Sequence, residues 1–286
     1  MTQGYLTFAQ NSGTTDYLEM AHAQALSIKT TCKINKYAVV VDKYTASLIT
    51  ARHKRAFDYI ISIPGTDEAA NDKWKLRNEW KALAASPFSE TVKLEADMIF
   101  TSNIDHWWDI MARREVCFTT TVLDYTGKPS ANRSYRQVFD DNNLLNVYNG
   151  FYYFKQGNTA AELFKYARLV YANWPLFRDQ ILKNCRDHNP NTDLVFAIAI
   201  ELAGREKYYD PAMTVPRFTH MKGAINGWNI DADWRDHVQY QFDNNTLTVG
   251  FTRQQAPFHY YQKNFITPEI SAPYESSYIR SQKPGH

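Results

Sequence analysis

The chain has 286 residues, of which 44% are hydrophobic and 22% are charged. This length and composition exclude a disordered or low-complexity protein and allow a large core, in one domain or in two closely packed ones. The net charge is only +2, from 32 basic and 30 acidic side chains, so no strong overall field points to nucleic acid or to a membrane.

The first half of the chain alternates between strand-like and helix-like segments. Runs rich in apolar, β-branched and aromatic residues predict strands at residues 5–9, 37–41, 59–63, 91–100 and 116–123. Capping residues and helical spacing predict helices at residues 16–27, 45–58 and 73–85, and a short one after Asp105. This order favours a mostly parallel, doubly wound sheet with right-handed crossovers.

The second half opens on a strand predicted at residues 147–154 and then becomes helical. Helices are predicted at residues 158–173 (capped by Asn158), 176–185 and 193–203. Alternating apolar residues between 238 and 251 flank Asp243-Asn244-Asn245 and predict a β-hairpin. The aromatic tail after Arg253 is expected to pack as an irregular strap. We therefore expect an α/β domain over residues 1–235, with the hairpin and strap of residues 236–286 packed on it.

The location of the protein is predicted from features that the sequence lacks. Its start has neither a basic segment nor a long apolar segment, and no apolar run approaches the roughly 20 residues that span a bilayer. The three cysteines are widely spaced and form no C-x-x-C pair, which argues against a disulfide framework. These features predict a soluble, cytoplasmic protein with no membrane partner.

Several common catalytic motifs are missing. The sequence contains no G-x-G-x-x-G, no P-loop, no G-x-S-x-G and no H-E-x-x-H. Their absence makes dinucleotide oxidoreductases, P-loop kinases, serine hydrolases and zinc proteases of the H-E-x-x-H type poor hypotheses for this chain.

Two acidic residues, Glu95 and Asp97, interrupt an otherwise apolar predicted strand. Two residues apart in an extended segment, their side chains project from the same face. Unpaired carboxylates in a core strand are costly, so they need a cation or must lie where the strand leaves the sheet. Oxygen ligands at such an edge favour Mg²⁺ or Mn²⁺, and the alternative is an acid pair that arises by chance.

A second candidate segment contains His220, Lys222, Gly223 and Gly227. A histidine and a lysine beside glycines, which let the backbone approach a ligand, suit the binding of a diphosphate. Imidazole is also an acceptable ligand of Mn²⁺. The alternative is a hydrogen-bonded loop histidine beside a solvated lysine.

Three segments together resemble the GT-A nucleotide-sugar glycosyltransferases of the glycogenin and bacterial galactosyltransferase type, which form family eight of that classification. Residues 87–97 match the strand that ends in the family's D-x-D motif, and residues 148–154 match its Asn-x-Gly-type strand. His220-x-x-Gly223-x-x-x-Gly-Trp228 resembles its late His-x-x-Gly-x-x-Lys-Pro-Trp segment. The resemblance covers about residues 5–230, with Glu95 in place of the first Asp and Asn226-Gly227 in place of Lys-Pro.

The resemblance implies a GT-A (Rossmann-like) fold, a mostly parallel twisted sheet flanked by helices, and a role for each matching position. The ligands of Mn²⁺ (or Mg²⁺) on the donor diphosphate would be Glu95, Asp97 and His220. The donor would be contacted by Phe8, Ala9, Gln10, Asp42, Lys75, Arg77, Gly150, Lys222 and Gly223. The sugar and the acceptor would be bordered by Asn149, and the reacting sugar carbon by Asp193.

These roles have structural alternatives. Asp193 is also a candidate helix N-cap, and Asn149 a candidate turn former. Lys75 and Arg77 are equally consistent with the solvated face of a helix.

The activity implied by the resemblance is transfer of a sugar from a nucleoside-diphosphate donor, expected to be UDP-linked, to an acceptor hydroxyl, with retention at the anomeric carbon. Residues 104–111 and their surroundings resemble phage-encoded sugar transferases that modify hydroxymethylated pyrimidines, which makes double-stranded modified DNA a candidate acceptor. Phosphate contacts would then come from Arg52, Lys54, Arg55, Arg113, Arg114, Arg133, Arg136 and Lys263. The alternatives are a glycan or protein acceptor, a nucleotidyltransferase, and a non-catalytic carbohydrate-binding protein. The sequence does not predict an oligomeric state.

Overall fold

The computed structural model describes residues 2–130 and 132–282 as an α/β structure with one large and two small sheets. The strands are β1 (Gln3–Ala9), β2 (Tyr37–Val41), β3 (Tyr59–Ser62), β4 (Glu90–Leu94), β5 (Met98–Ile99), β6 (Val116–Thr119), β7 (Tyr148–Lys155), β8 (Thr219–His220), β9 (Tyr240–Asp243), β10 (Thr246–Val249), β11 (Thr252–Arg253) and β12 (Phe258–His259). The large sheet has six strands, and each of the small sheets has three.

The large sheet has the strand order β3-β2-β1-β4-β7-β6. Strands β1 to β4 pair in parallel, and β7 runs antiparallel to both of its neighbours. The mostly parallel sheet predicted from the sequence is therefore confirmed. The chain passes from β1 to β2 on one side and returns to β4 on the other. In doubly wound sheets, ligands bind outside the carboxyl ends of the strands at such a reversal.

The helices flank this sheet and connect its strands. They are α1 (Tyr17–Thr31), α2 (Lys43–Ser47), α3 (Ala51–Ala56), α4 (Ala82–Ala85), α5 (His106–Met111), α6 (Gln137–Asp141), α7 (Asn158–Ala172), α8 (Trp174–Leu176), α9 (Thr192–Ala203) and α10 (Pro268–Ser281). A π-helical turn covers Phe177–Ile181, and 3₁₀ turns cover Lys75–Lys81, Ser134–Arg136, Arg205–Lys207, Gly223–Asn226 and Trp234–Asp236. None of the helices in the described part of the chain has the length and apolar character needed to cross a bilayer.

Aromatic residues fill the core on both faces of the large sheet. Because side chains alternate along a strand, Phe151 and Tyr153 of β7 pack on one face, while Tyr152 and Phe154 pack on the other. The second face is covered mainly by α7 and α9, whose contribution includes Phe196. Many of the chain's aromatic residues are thus core residues.

The small sheet β5-β12-β8 brings three distant parts of the chain together. Strand β12 lies in the middle, antiparallel to β5 and parallel to β8. In this register His259 lies opposite Met98 on one side and His220 on the other. The sheet therefore places both histidines next to the turn at residues 95–97.

Several predicted helices are shorter than expected. The segment predicted as one helix at 45–58 forms α2 and α3, because Asp42 caps the first and Thr50 starts the second with a capping box to His53. The segment predicted as a helix at 73–85 is mostly a 3₁₀ turn followed by α4. The segment predicted as a helix at 176–185 is the end of α8 followed by the π-helical turn, which ends at Ile181.

Other boundaries also differ from the predictions. The strand predicted at 91–100 leaves the large sheet after Leu94, and its end pairs in the small sheet as β5. The strand predicted at 116–123 ends at Thr119. Helix α7 is not capped by Asn158. Its cap position is Gly157. The side chain of Glu115 accepts a hydrogen bond from the backbone N–H of Ala160 (3.0 Å) and so satisfies a free N–H group of the first turn, as a capping side chain would.

The C-terminal hairpin is confirmed as β9 and β10. Asn244 and Asn245 connect the strands with φ angles of 47° and 63°, the left-handed pair that a two-residue type I′ turn requires. The tail beyond Arg253 is not an irregular strap, because it contains β12 and the 14-residue helix α10, which packs on α1. The domain boundary at residue 235 stays a prediction.

Candidate active site

A cavity of about 370 Å³ opens at the carboxyl ends of β1 and β4. Strand β7 is antiparallel to β4, so its first residues reach the same edge of the sheet. The 3₁₀ turn after Trp74, the start of α9 and the segment around β12 complete the wall. Of the residues predicted for the site, the cavity is lined by Phe8, Gln10, Lys75, Glu95, Asp97, Gly150, Asp193, His220 and Lys222.

Glu95 and Asp97 lie in the turn that leads out of β4. The backbone N–H of Glu95 donates to the carbonyl of Gly150 (3.0 Å), and Gln24 donates to the carbonyl of Glu95 (2.7 Å). The sequence required either a cation beside these acids or a position where the strand leaves the sheet. In the structure, the strand leaves the sheet at the acids. A Cβ atom at Gly150 would lie 3.3 Å from Glu95 Oε2, so the absence of a side chain there gives the carboxylate room.

Two basic residues from the C-terminal part of the chain, His259 and Lys263, contact this acid pair. His259 Nε2 lies 2.9 Å from Asp97 Oδ2 and 3.4 Å from Glu95 Oε2. The Lys263 ammonium lies 2.5 Å from the same oxygen of Asp97. The sequence does not predict His259 as a site residue, and Lys263 was predicted only as a candidate DNA-phosphate contact. A polar residue in the otherwise aromatic run at 258–261 was the one available signal.

His220 lies beside this group on the neighbouring strand. Its ring stacks on that of His259, with the centroids 4.5 Å apart and the planes 6° apart. In this part of the structure, the ligand atoms that all lie within 4.8 Å of one another belong to Glu95, Asp97 and His259, and His220 is not among them. Burial lowers the pKa of His220, and the nearby charges of His259 and Lys222 lower it further, so this imidazole is neutral. Its role as a metal ligand stays a prediction.

The two acids have opposite electrostatic environments. Burial raises the pKa of Glu95, and the charge of Asp97 raises it further, against the opposing effect of His259. Burial alone would also raise the pKa of Asp97, but the nearby charge of His259, together with the charge and the hydrogen bond of Lys263, outweighs it and holds this pKa well below its usual range. Asp97 is therefore the firmly ionised member of the pair.

The side chains fit a divalent cation. Both ring nitrogens of His259 and Nδ1 of His220 are buried without a hydrogen-bond partner among the described residues, since the short contact from His259 to Asp97 lacks hydrogen-bond geometry. Buried polar atoms are normally paired, so imidazole nitrogens that find no protein partner beside two carboxylates suit the binding of a cation. Carboxylate and imidazole are ligands that Mn²⁺ accepts, and carboxylates suit Mg²⁺. The fitting residues are Glu95, Asp97 and His259.

Asp193 faces the cavity from the start of α9. Its Oδ2 accepts from Arg136 Nη1 (2.7 Å), and its Oδ1 accepts from the backbone N–H of Asn149 (2.7 Å). The N-cap of α9 is Asn191, whose side chain accepts from the N–H of Asp193 (3.1 Å), so the alternative of Asp193 as an N-cap is wrong. Arg136 is buried and balances the charge of this carboxylate in one orientation.

Asn149 is a buried residue of β7 rather than a turn former. Its Nδ2 lies 3.4 Å from Oε2 of Glu79, which also pairs with the fully buried Lys93 of β4. Glu79 lines the cavity, but Asn149 does not. The sequence does not predict Glu79 as a site residue, because one acid in a helix-like segment carries no distinguishing signal.

Comparisons with known proteins add evidence on the fold. No protein-family model matches the chain, and no curated protein matches its sequence. The apo form of the glycosyltransferase GlyE from Streptococcus pneumoniae aligns with 99% of this chain and 65% of that chain, with a TM-score of 0.50 and 8% identity. The chain has a glycosyltransferase fold. Apo mouse xyloside xylosyltransferase 1 aligns with 72% of this chain and 84% of that chain, with a TM-score of 0.45 and 10% identity.

The predicted GT-A-type α/β fold is thus confirmed, while membership of family eight stays a prediction. The chain spans slightly less than two thirds of the length of GlyE. At 8% identity the likeness extends to the fold alone.

Some predicted donor contacts lie outside the cavity lining of this glycosyltransferase fold, and their donor roles stay predictions. Asp42 caps α2 by accepting from the N–H of Thr45 (2.7 Å). Arg77 pairs with Asp72 (2.5 Å). Gly223 packs against backbone, since a Cβ atom there would lie 1.8 Å from the carbonyl oxygen of Asn229. Ala9 is the remaining donor contact in this group. Asn149, which was predicted to border the sugar and the acceptor, also lies outside the lining, and its role stays a prediction.

Most of the arginines proposed to contact DNA phosphates have partners within the protein. Of these six arginines, Arg136 is buried against Asp193, and three of the other five pair with carboxylates nearer the surface. Those pairs are Arg52 with Glu19, Arg114 with Asp210, and Arg133 with Asp140. These pairings leave less positive charge for an acceptor than the sequence suggests, and the DNA acceptor stays a prediction.

Proposed function

We propose that the chain is a glycosyltransferase that moves a sugar from a nucleoside-diphosphate donor to an acceptor hydroxyl. The observation that carries the proposal is the convergence of Glu95, Asp97 and His259 in the crevice at the β1/β4 reversal. A Mn²⁺ or Mg²⁺ ion held there would neutralise negative charge on the departing diphosphate. The likeness in fold to GlyE supports the same proposal.

The chain's own residues divide the work around the donor. Lys75 and Lys222 line the cavity and supply positive charge for the phosphates. Burial lowers the pKa of Lys222, so an anion beside this ammonium would favour its charged form. Phe8 and Gln10, at the end of β1, are placed to contact the nucleotide base, which we propose is uracil.

Asp193 is the residue proposed to act next to the reacting sugar carbon. Its two oxygens are held by Arg136 and by the backbone of Asn149, so the carboxylate keeps one orientation toward the cavity. A fixed carboxylate can stabilise positive charge that develops on the sugar ring. We propose a retaining outcome on the basis of the family resemblance.

The test is release of nucleoside diphosphate from a panel of nucleotide sugars, with and without Mn²⁺. Asp97→Asn should reduce Mn²⁺-dependent release by about 100-fold or more, because it removes a charged ligand and leaves His259 and Lys263 without their partner. Asp109→Asn, on the exposed surface of α5, is the matched control. Full activity of Asp97→Asn would contradict the proposal, and release of pyrophosphate would indicate a nucleotidyltransferase.

The acceptor can be determined in the same experiment. We propose a hydroxymethylated pyrimidine in duplex DNA, which would gain the mass of one hexose or pentose residue (the sugar less one water) per modified base. Glycan and protein acceptors are the matched alternatives. Transfer to one of these and none to DNA would overturn the DNA proposal while leaving the glycosyltransferase proposal intact.

A further inference from the structure

Lys263 contacts the carboxylate of Asp97, the firmly ionised acid of the candidate metal site. It lies between β12 and α10, and its ammonium is 2.5 Å from Asp97 Oδ2. The two side chains differ in exposure, at 42% for Lys263 and 3% for Asp97. The lysine therefore reaches from the rim of the cavity to a carboxylate at its floor.

The contact between Lys263 and Asp97 compensates the charge of a buried carboxylate. A buried carboxylate without a partner destabilises the fold by several kcal/mol, so Asp97 requires a positive charge. His259 lies near the same oxygen, but its contact lacks hydrogen-bond geometry. Lys263 therefore donates the direct hydrogen bond, and its charge acts on Asp97 together with that of His259.

The same oxygen is also a candidate ligand of the divalent cation. Asp97 belongs to the group of three side chains whose ligand atoms cluster within 4.8 Å. Two cations that share one carboxylate oxygen repel each other at short range, so the ammonium and a metal ion compete for it. Lys263 pairs with Asp97 and not with Glu95, so the second acid of the pair does not hold the lysine in place.

We propose that Lys263 is a displaceable internal cation, which holds Asp97 until a divalent ion takes its place and then binds the diphosphate of the donor. This inference rests on the proposed function and concerns the regulation of the same site. It makes the binding of the ion and the binding of the nucleotide depend on each other.

The local structure allows this movement. Lys263 lines the same cavity as Lys75 and Lys222, so its flexible side chain can reach the donor side by a change of rotamer. The backbone around it is anchored by Tyr260 and Phe265, which are both buried. The side chain can therefore move while the tail stays in place.

The movement has a consequence for affinity. An ion that binds alone must displace the ammonium and leave it without a partner. A diphosphate that binds with the ion offers the ammonium new oxygen partners, which lowers that cost. Ligands that favour the same state bind with positive coupling, typically by a factor of about 5 to 150.

The experiment measures Mn²⁺ affinity by electron paramagnetic resonance, first without nucleotide and then with UDP. Lys263→Met should bind Mn²⁺ about tenfold more tightly than the wild type without nucleotide, because the competing charge is gone. The gain in Mn²⁺ affinity on adding UDP should be smaller in Lys263→Met than in the wild type. Lys263→Arg keeps the cation and should behave like the wild type.

Two control variants separate the contact from a general charge effect. Lys36→Met removes another lysine that pairs with an aspartate, Asp58 (3.0 Å), and should leave Mn²⁺ affinity unchanged. Lys222→Met removes a cavity lysine that is not paired with Asp97, and should tighten Mn²⁺ binding less than Lys263→Met. Thermal unfolding of each variant verifies that it is folded.

The outcomes distinguish the two proposals. Equal or weaker Mn²⁺ binding by Lys263→Met, with Mn²⁺-dependent donor cleavage intact, would overturn the role of Lys263 alone. An equal effect of Lys222→Met would also overturn it. If neither the wild type nor Lys263→Met binds Mn²⁺, with or without UDP, the role of Lys263 and the metal-dependent function are both overturned.

Discussion

His220 and His259 lie face to face, and they differ in what their nitrogens reach. His259 contacts both acids, whereas His220 stacks on the His259 ring. Loss of an outer-shell partner typically weakens metal binding by about 10- to 100-fold. We expect His259→Ala, which removes a ligand, to weaken Mn²⁺ binding by more than this, and His220→Ala, which removes only a stacked ring, to weaken it less than His259→Ala. Mn²⁺ titration of both variants measures this. The sequence-based assignment of His220 as the ligand predicts the opposite order.

The acids of the site can be predicted from the sequence, but their cation partners cannot. Glu95 and Asp97 are conspicuous because they interrupt an apolar run, which is a local signal. His259 and Lys263 reach Asp97 only because β12 inserts between β5 and β8, more than 150 residues along the chain from the acids. Pairing between such distant two-residue strands leaves no periodicity in the sequence.

Helix α10 is the element that the sequence obscures most. Pro268 and Pro273 argue against a long helix, yet the first lies in its first turn, where its missing N–H costs nothing. Ile270 and Tyr274, four residues apart, form its buried face. The hairpin before it was predictable because two asparagines form its turn, a local requirement that the strands then follow.

Tyr274 tests how α10 is attached to the rest of the protein. It is fully buried, and its hydroxyl donates to the carbonyl of Phe100 (3.0 Å). We expect Tyr274→Phe to lower the free energy of unfolding by about 1 kcal/mol through the lost hydrogen bond. Tyr274→Ala should lower it by about 3 to 5 kcal/mol, because a cavity is added. Urea unfolding measures both. An unchanged midpoint for Tyr274→Ala would show that this docking does not contribute to stability.

At the scale of the whole molecule, the class of the sheet was predictable and the order of its strands was not. Alternating strands and helices indicate a doubly wound sheet, but they do not determine that β4 pairs with β1. That pairing creates the crevice where the acids lie, and β7 then adds Gly150 to the same edge as an antiparallel strand. The position of the site therefore depends on long-range strand pairing more than on any single motif.

The stability of the whole fold should depend on pH through His22, a buried residue of α1. Burial, together with the charges of Arg52, His53 and Arg55, lowers its pKa to about 3, although the acidic Glu19 lies close to His22 and His53. In the unfolded chain a histidine takes up its proton near pH 6.5, whereas His22 in the folded chain does so only near pH 3. Between these values the unfolded state binds more protons, so the free energy of unfolding falls as the pH falls.

The size of this effect can be measured with one substitution. From pH 6.5 down to pH 5, His22 should cost the fold about 2 kcal/mol, at roughly 1.4 kcal/mol for each pH unit. His22→Asn keeps a polar group that can accept from Arg52, which donates to His22 Nδ1 in the structure (3.2 Å), but it does not titrate in this range. Urea unfolding at pH 7 and pH 5 should therefore show a smaller loss of stability for the variant than for the wild type. Equal losses would mean that His22 is protonated in the folded chain at pH 5, and that its burial does not keep it neutral.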